Sequence, residues 1–322
     1  MRTVGVDLGG TNISTIVLDG DDQVVGEAKL KTPTTGDRGG VVEVIAASVF
    51  DALDDAGLER DAVAAIGIGT PGVVVDGTVG GAANVPGFLE RFSLAGLVTE
   101  KLELPVRVAN DVTAAAVGEH QVGAGKGVSD LLCIFVGTGV GGGLILNGAP
   151  YEGGQGGAGE FGHLVVRQGG AVCPCGRRGC VEAYAGRRAM VLAAERARAA
   201  GTATVLFDVM EEKGKPRPTS GVFKEALARG DTLIADLVDD GIEALGAGIA
   251  SAVNLLDVDA VVLGGGLADK LGERFRFRVD AAMRPHLFLH PPRVELVEAA
   301  LGDHAGAIGA GIVAREVAEA ST

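Results

Sequence analysis

Positive charge is scarce in this sequence. Its 28 Lys and Arg stand against 42 Asp and Glu, and the resulting net charge of -14 repels nucleic acid and anionic membranes. Neither is expected as a partner. No secretory leader is expected either, because Asp7 interrupts the N-terminal apolar run before a signal-peptide core can form. No long apolar span offers itself either. The longest uncharged stretch, Leu131 to Tyr151, carries six glycines, Asn147 and Pro150, and reads as two strands joined through a glycine turn. The expected setting is cytoplasmic.

Glycine, by contrast, is abundant. The 53 glycines are more than twice the roughly 7 per cent average, which points to backbone positions that need tight turns or close approach to a ligand. A length of 322 residues, 47 per cent hydrophobic and 22 per cent charged, suits a soluble chain of about two domains. Alternating apolar residues and turn signals predict strands over VGVDL, ISTIVLDG and QVVGEAKL, then a helix from Gly39 to Ala56. The strands VAAIGIG and PVRVAN follow, with a helix opening at TAAAVGEH. Helical spacing returns over 182–199, 231–256 and 305–318, and the strands VDAVVLGGG and RVELVEA lie near the end.

Four cysteines are present, and three lie in one loop with a histidine: His163, Cys173, Cys175 and Cys180. Cys133, in the apolar strand LLCIFV, reads as a core thiol. Glycines and Pro174 deprive the loop of regular hydrogen bonding, so something must staple it. One imidazole and three thiolates form a standard tetrahedral zinc set. A Cys175 to Cys180 disulfide and three inert thiols are the other readings that the spacing permits. Glu160 and Glu182 bracket the loop, which would hold both carboxylates rigidly, as a binding site requires.

Two glycine turns share one grammar. Gly9-Gly10-Thr11 follows the first strand and Gly137-Thr138-Gly139 follows LLCIFV, a weak internal repeat suggesting two similar halves. Facing turns of this kind can hold a polyphosphate through backbone N–H groups, although a plain hairpin is the commoner meaning of either alone. Asp7, beside the first turn, suits a water-bridged Mg²⁺ ion or the turn's own amides. Asp111 suits a helix N-cap or, after Asn110 at a strand end, a catalytic base. Gly264-Gly265-Gly266 suits a tight strand-to-helix turn or a seat for a nucleoside.

E-x-G-H from Glu160 and C-x-C-G-x-x-G-C-x-E from Cys173 to Glu182 resemble the signature of the ROK family of sugar kinases and repressors. The resemblance runs over almost the whole chain, and within the family it is most similar to bacterial zinc-containing glucokinases. It implies a two-domain α/β fold of the actin/hexokinase-like (ribonuclease H-like) type, with the active site in an inter-domain cleft. The small domain would span 1–109 and be completed by a helix over 304–322. The large one would span 110–303 and carry the zinc loop 163–180.

The implied activity is ATP-dependent phosphorylation of a hexose 6-hydroxyl, glucose first, with Mg²⁺ at the phosphates and a structural Zn²⁺. Asp111 would be the general base, with Gly72, Asn84, Asn110, Asp111, Glu160, His163 and Glu182 on the sugar. Asp7, Gly9, Gly10, Thr11, Gly137, Thr138, Gly139, Gly264, Gly265 and Gly266 would hold the nucleotide. His163 would both ligate zinc and touch the sugar. Because the glycine turns are anchored in strands, the zinc loop is expected to serve the sugar rather than the nucleotide. Homodimers or homotetramers are the implied assemblies. Other hexoses, a polyphosphate donor, and a non-catalytic sugar sensor remain as alternatives. A repressor would need a basic helix-turn-helix ahead of the first strand at Val4.

Overall fold

Residues 1–82 and 84–320 are described by the computed structural model. Strands β1 (Thr3–Leu8), β2 (Asn12–Leu18) and β3 (Val24–Lys31) form an antiparallel meander, and α1 (Arg38–Asp55) packs back on β2 and β3. Asp37 caps that helix by accepting from the Gly40 N–H. Next come β4 (Ala65–Thr70), the short strands β5 (Val73–Val75), β6 (Thr78–Gly80) and β7 (Phe92–Ser93), and α2 (Leu94–Leu102). Strand β8 (Val106–Asn110) runs directly into α3 (Asp111–Gln121).

After that helix come β9 (Leu131–Val136), β10 (Val140–Leu146) and β11 (Ala149–Pro150). Helices α4 (Glu182–Ala185), α5 (Arg187–Ala199), α6 (Leu206–Glu212), α7 (Ser220–Ala228) and α8 (Thr232–Leu256) follow, then β12 (Ala260–Gly264). The chain ends with α9 (Gly266–Leu271), α10 (Glu273–Met283), β13 (Glu295–Glu298) and α11 (Ala305–Ala320). No helix among the described residues is long and apolar enough to cross a membrane.

The internal repeat is visible in the sheets. One has the order β3-β2-β1-β4-β8 and another β11-β10-β9-β12-β13, so each meander is extended by two later strands on the side of its first. Strands β4 and β8 continue the first sheet in parallel, as β12 and β13 continue the second. Parallel extension matters because it gathers strand carboxyl ends, the usual place for ligands in such sheets.

The chain divides into two compact units. The first comprises residues 1–128, 143–159 and the segment from Asp303 onward; the second comprises 129–142 and 160–302. In the first, Val4, Val6 and Leu8 of β1 meet Ile13, Ile45, Ile66, Ile68 and Phe88 in one apolar core. Helix α11 lies directly on β1 and β4. Glycine permits that contact, since a Cβ on Gly5 would strike the Ala307 carbonyl and one on Gly67 the Ala310 carbonyl. Part of the glycine excess therefore serves helix-on-sheet packing rather than ligand approach.

In the second unit α8 packs on α4, α5 and α10. A Cβ on Gly246 would crowd Ala282 at 2.7 Å, and one on Gly248 would meet Val181 at 2.9 Å and Phe161 at 3.0 Å. The small residues that periodicity marked in this helix thus let it approach the loop that carries the cysteines.

Candidate functional site

The expected site residues fall into two groups, one in each unit. In the first unit, Asp7 stands at the carboxyl end of β1 opposite Gly69 of β4, and Thr70 of β4 pairs with Asn110 of β8. Asn110 caps α3, its Oδ1 accepting from the Val112 and Thr113 N–H groups at 2.9 and 3.2 Å, while its Nδ2 donates to the Gly72 carbonyl at 3.1 Å. The capping that sequence left open for Asp111 is therefore performed by Asn110. Asp111 is the first helical residue, with one carboxylate oxygen accepting from the Val112 N–H at 3.0 Å. Gly72 needs its missing side chain: φ is 97° and a Cβ would lie 2.6 Å from the Gly80 carbonyl.

Burial, with the Asp111 charge next, lifts the Asp7 carboxyl from an ordinary 3.8 to about 7; Lys29 pulls the other way and Asp303 adds to the rise. Burial beside a second carboxylate has this signature. Oxygen donors so placed suit a hard divalent cation such as Mg²⁺. Beside them the Gly9-Gly10-Thr11 turn is closed by Gly9 N–H donating to Asn12 O at 3.0 Å, and Thr32 N–H donates to Thr11 O at 3.1 Å. Asn84, placed with the sugar residues by sequence, lies over this turn: a Cβ on Gly10 would sit 2.8 Å from its Nδ2.

In the second unit the loop brings His163, Cys173, Cys175 and Cys180 together, with ligand atoms all within 4.8 Å of one another. His163 Nδ1 is 3.7 Å from Cys173 Sγ, and the Cys175 and Cys180 sulfurs are 3.8 Å apart. A tetrahedron with metal–sulfur bonds of about 2.3 Å has edges of about 3.8 Å, so the donor set fits Zn²⁺ in both spacing and chemistry. Cys173, Cys175 and Cys180 are free thiols, which removes the disulfide reading. Burial pushes the Cys173 thiol up to about 12. Burial acts upward on Cys175 too, but hydrogen bonds from the Arg177 backbone and side chain prevail and bring it to about 6.

The loop is braced from outside the cluster. Tyr184 Oη accepts from the Ala171 N–H at 2.8 Å, the Arg167 guanidinium stacks on the Tyr184 ring at 4.6 Å, and the same Arg167 pairs with Asp240 and Glu243 of α8. His163 turns Nε2 away from the cysteines toward Glu160, whose carboxylate lies 3.9 Å off. One ring nitrogen thus belongs to the metal set and the other to the acidic side.

Glu182 reaches the second glycine turn. Its Oε2 accepts the Val140 N–H at 2.9 Å, and a Cβ on Gly139 would strike that oxygen. The residue that ends the cysteine motif is fastened to the Gly137-Thr138-Gly139 turn, so the metal loop and this turn are one structure rather than two. Gly265, with φ of 91°, presses against the backbone of Val136, the residue before the turn; a Cβ would lie 2.6 Å from Val136 N. Gly264 and Gly266 flank it at the junction of β12 and α9.

The ROK family model matches residues 3–317. The chain belongs to the ROK family. It is 36% identical over 320 residues to the glucokinase of Streptomyces coelicolor, covering 98% of each chain. The structure of a ROK glucokinase from Streptomyces griseus in complex with glucose and AMPPNP superposes with a TM-score of 0.82 at 35% identity, covering 98% of this chain and 100% of that one. A ROK hexokinase from Thermus thermophilus gives a TM-score of 0.81 at 33% identity with full coverage of both. The fold is accordingly the two-domain actin-like α/β type of these ROK enzymes.

Sequence reasoning missed Arg187. Its guanidinium donates to Thr138 Oγ1 and to Ser220 Oγ, each at 2.8 Å, and its own N–H donates to Gly137 O at 3.1 Å. Reading 182–199 as one helix hid it. Gly186 breaks that helix into α4 and α5, and the break sets Arg187 against the glycine turn.

Proposed function

We propose that this ROK protein transfers the terminal phosphoryl group of ATP to the 6-hydroxyl of a hexose, with glucose preferred. The likeness to a glucokinase across 98% of both chains carries the reading. Glu160, His163 and Glu182 would offer acceptors and a ring N–H to sugar hydroxyls, with Gly72, Asn84 and Asn110 as further sugar-binding positions. A set of hydrogen-bonding groups of this kind favours a polyol, because removing one hydroxyl strands its partner. Asp111 accepts the proton of the 6-hydroxyl as its oxygen attacks phosphorus and the bond to the bridging oxygen of ADP breaks.

The turns Gly9-Gly10-Thr11 and Gly137-Thr138-Gly139 present N–H groups to phosphate oxygens, and the glycines 264–266 let a nucleoside approach backbone. Asp7 would hold Mg²⁺ through water, and the ion supplies neutralisation of the phosphate charge. His163 Nδ1 with the three cysteine sulfurs would hold Zn²⁺ as a structural ion. A cytoplasmic setting agrees with free thiols in that set, because cytosolic reductants keep them so.

A coupled kinase assay over glucose, mannose, fructose and N-acetylhexosamines, each with ATP and with polyphosphate, tests the reading. The highest kcat/KM is expected for glucose with ATP. Sugar binding without turnover on any donor would make the chain a sensor instead.

A further inference from the structure

Other half-buried arginines of this chain lie against carboxylates: Arg107 on Glu152 and Glu316, and Arg315 on Asp22. Arg187 does not. Among the described residues it forms no ion pair, although the chain holds 42 acidic residues; its guanidinium meets only the hydroxyls of Thr138 and Ser220. A cation withdrawn from water without a counter-charge is unfavourable, and evolution tolerates it where a ligand brings the missing charge. Burial, with the Arg217 charge next, holds its pKa below the ordinary value; a second cation is therefore close by.

The placement is specific. Thr138 is the middle of the second glycine turn. Ser220 opens α7, and its Oγ lies 4.0 Å from where a Cβ on Gly266 would stand. The guanidinium therefore spans from the turn assigned to phosphate toward the glycines assigned to the nucleoside. Its backbone is tied to the turn, because the N–H groups of Arg187 and Arg188 donate to the carbonyls of Gly137 and Thr138 at 3.1 and 3.0 Å. Two of its N–H groups are engaged by hydroxyls, leaving the rest of the fork for a ligand. A rigid, unpaired guanidinium fork between two turns matches the geometry and charge of phosphate oxygens.

We propose that Arg187 is a phosphate-binding residue of the nucleotide site, closing on the phosphate chain of ATP between the Gly137-Thr138-Gly139 turn and the Gly264-Gly265-Gly266 turn. This rests on the kinase reading. Arg217 adds a nearby positive charge that attracts the polyanion in an otherwise acidic protein.

The full-length, zinc-loaded protein tests it by calorimetry with adenosine, ADP and AMPPNP. Arg187→Gln keeps a hydrogen-bonding side chain and removes the charge. It is expected to lose roughly 10- to 100-fold in affinity for ADP and AMPPNP, to hold adenosine within about twofold, and to leave the KM for glucose unaltered. Arg187→Lys, which keeps the charge without the fork, should fall between, and it supplies the same comparison if the Gln variant does not fold. Unchanged ADP affinity would overturn the proposal, and so would equal losses for adenosine and ADP, the mark of a clip that only shapes the pocket. A wild-type protein that binds no AMPPNP at all would instead remove the kinase reading on which the proposal stands.

Discussion

Glu182 Oε2 accepts a hydrogen bond from the Val140 N–H at 2.9 Å, two residues after the last cysteine of the metal loop and one after Gly139 of the glycine turn. That contact ties the cysteine loop to the turn, so loss of a bound ion should be felt there. Replacing Cys175 by Ser should lower zinc content and raise the KM for ATP as well as that for glucose, each by roughly tenfold, the scale of one lost charge-assisted hydrogen bond. Metal analysis, circular dichroism and both Michaelis constants in one preparation check it. An unaltered KM for ATP in a folded, zinc-free variant would show that the turn stands without the loop.

That coupling illustrates what the chain discloses by inspection and what it hides. The cysteine spacing, the Asn110-Asp111 pair after a buried strand, and the two glycine turns are local patterns, and each lies where periodicity placed it. The partner of Glu182 lies 42 positions away in sequence and that of Arg187 lies 33 or 49 away, so no spacing rule reaches them. Helix α2 and strands β5 to β7 escaped for a different reason: they are short and sit among proline–glycine turns, whose signal is stronger than theirs.

Asp111→Asn preserves shape and removes the base. The expected result is a fall in kcat of at least roughly 10²-fold with much smaller change in sugar affinity, read by steady-state kinetics and calorimetry. Near-wild-type turnover would assign the proton to another group.

Asp7 imposes a pH dependence on the metal-free protein. Its carboxyl is raised from 3.8 to about 7, so between those values the folded chain keeps a proton that the unfolded chain has released. Stability at this group therefore falls as pH rises through that window, by at most about 4 kcal/mol and by less to the extent that solvent reaches the carboxylate. Urea unfolding at pH 5 and pH 7.5, without added Mg²⁺, should show wild type losing ground to Asp7→Asn at the higher pH. Parallel curves for the two proteins would mean that Asp7 is ionised throughout.

Gly67→Ala drives a methyl group into the Ala310 carbonyl of α11. It should cost at least about 1–3 kcal/mol in urea unfolding, the usual range for overpacking. Gly154→Ala, with open space around the added carbon, should stay within about 0.5 kcal/mol. Equal stability of the two variants would mean that α11 yields to the methyl group.

Helix α11 follows every other described element, yet it packs on β1, which precedes them all. During synthesis the opening strands must leave the ribosome and wait, their apolar face unsheltered, while residues 160–302 of the other unit are produced. At an elongation rate of about 5–20 residues per second, that wait exceeds the folding time of many small domains. The second unit can therefore be complete before the first has its final layer, and a nascent chain halted before Ala305 would be a natural client for holdase chaperones.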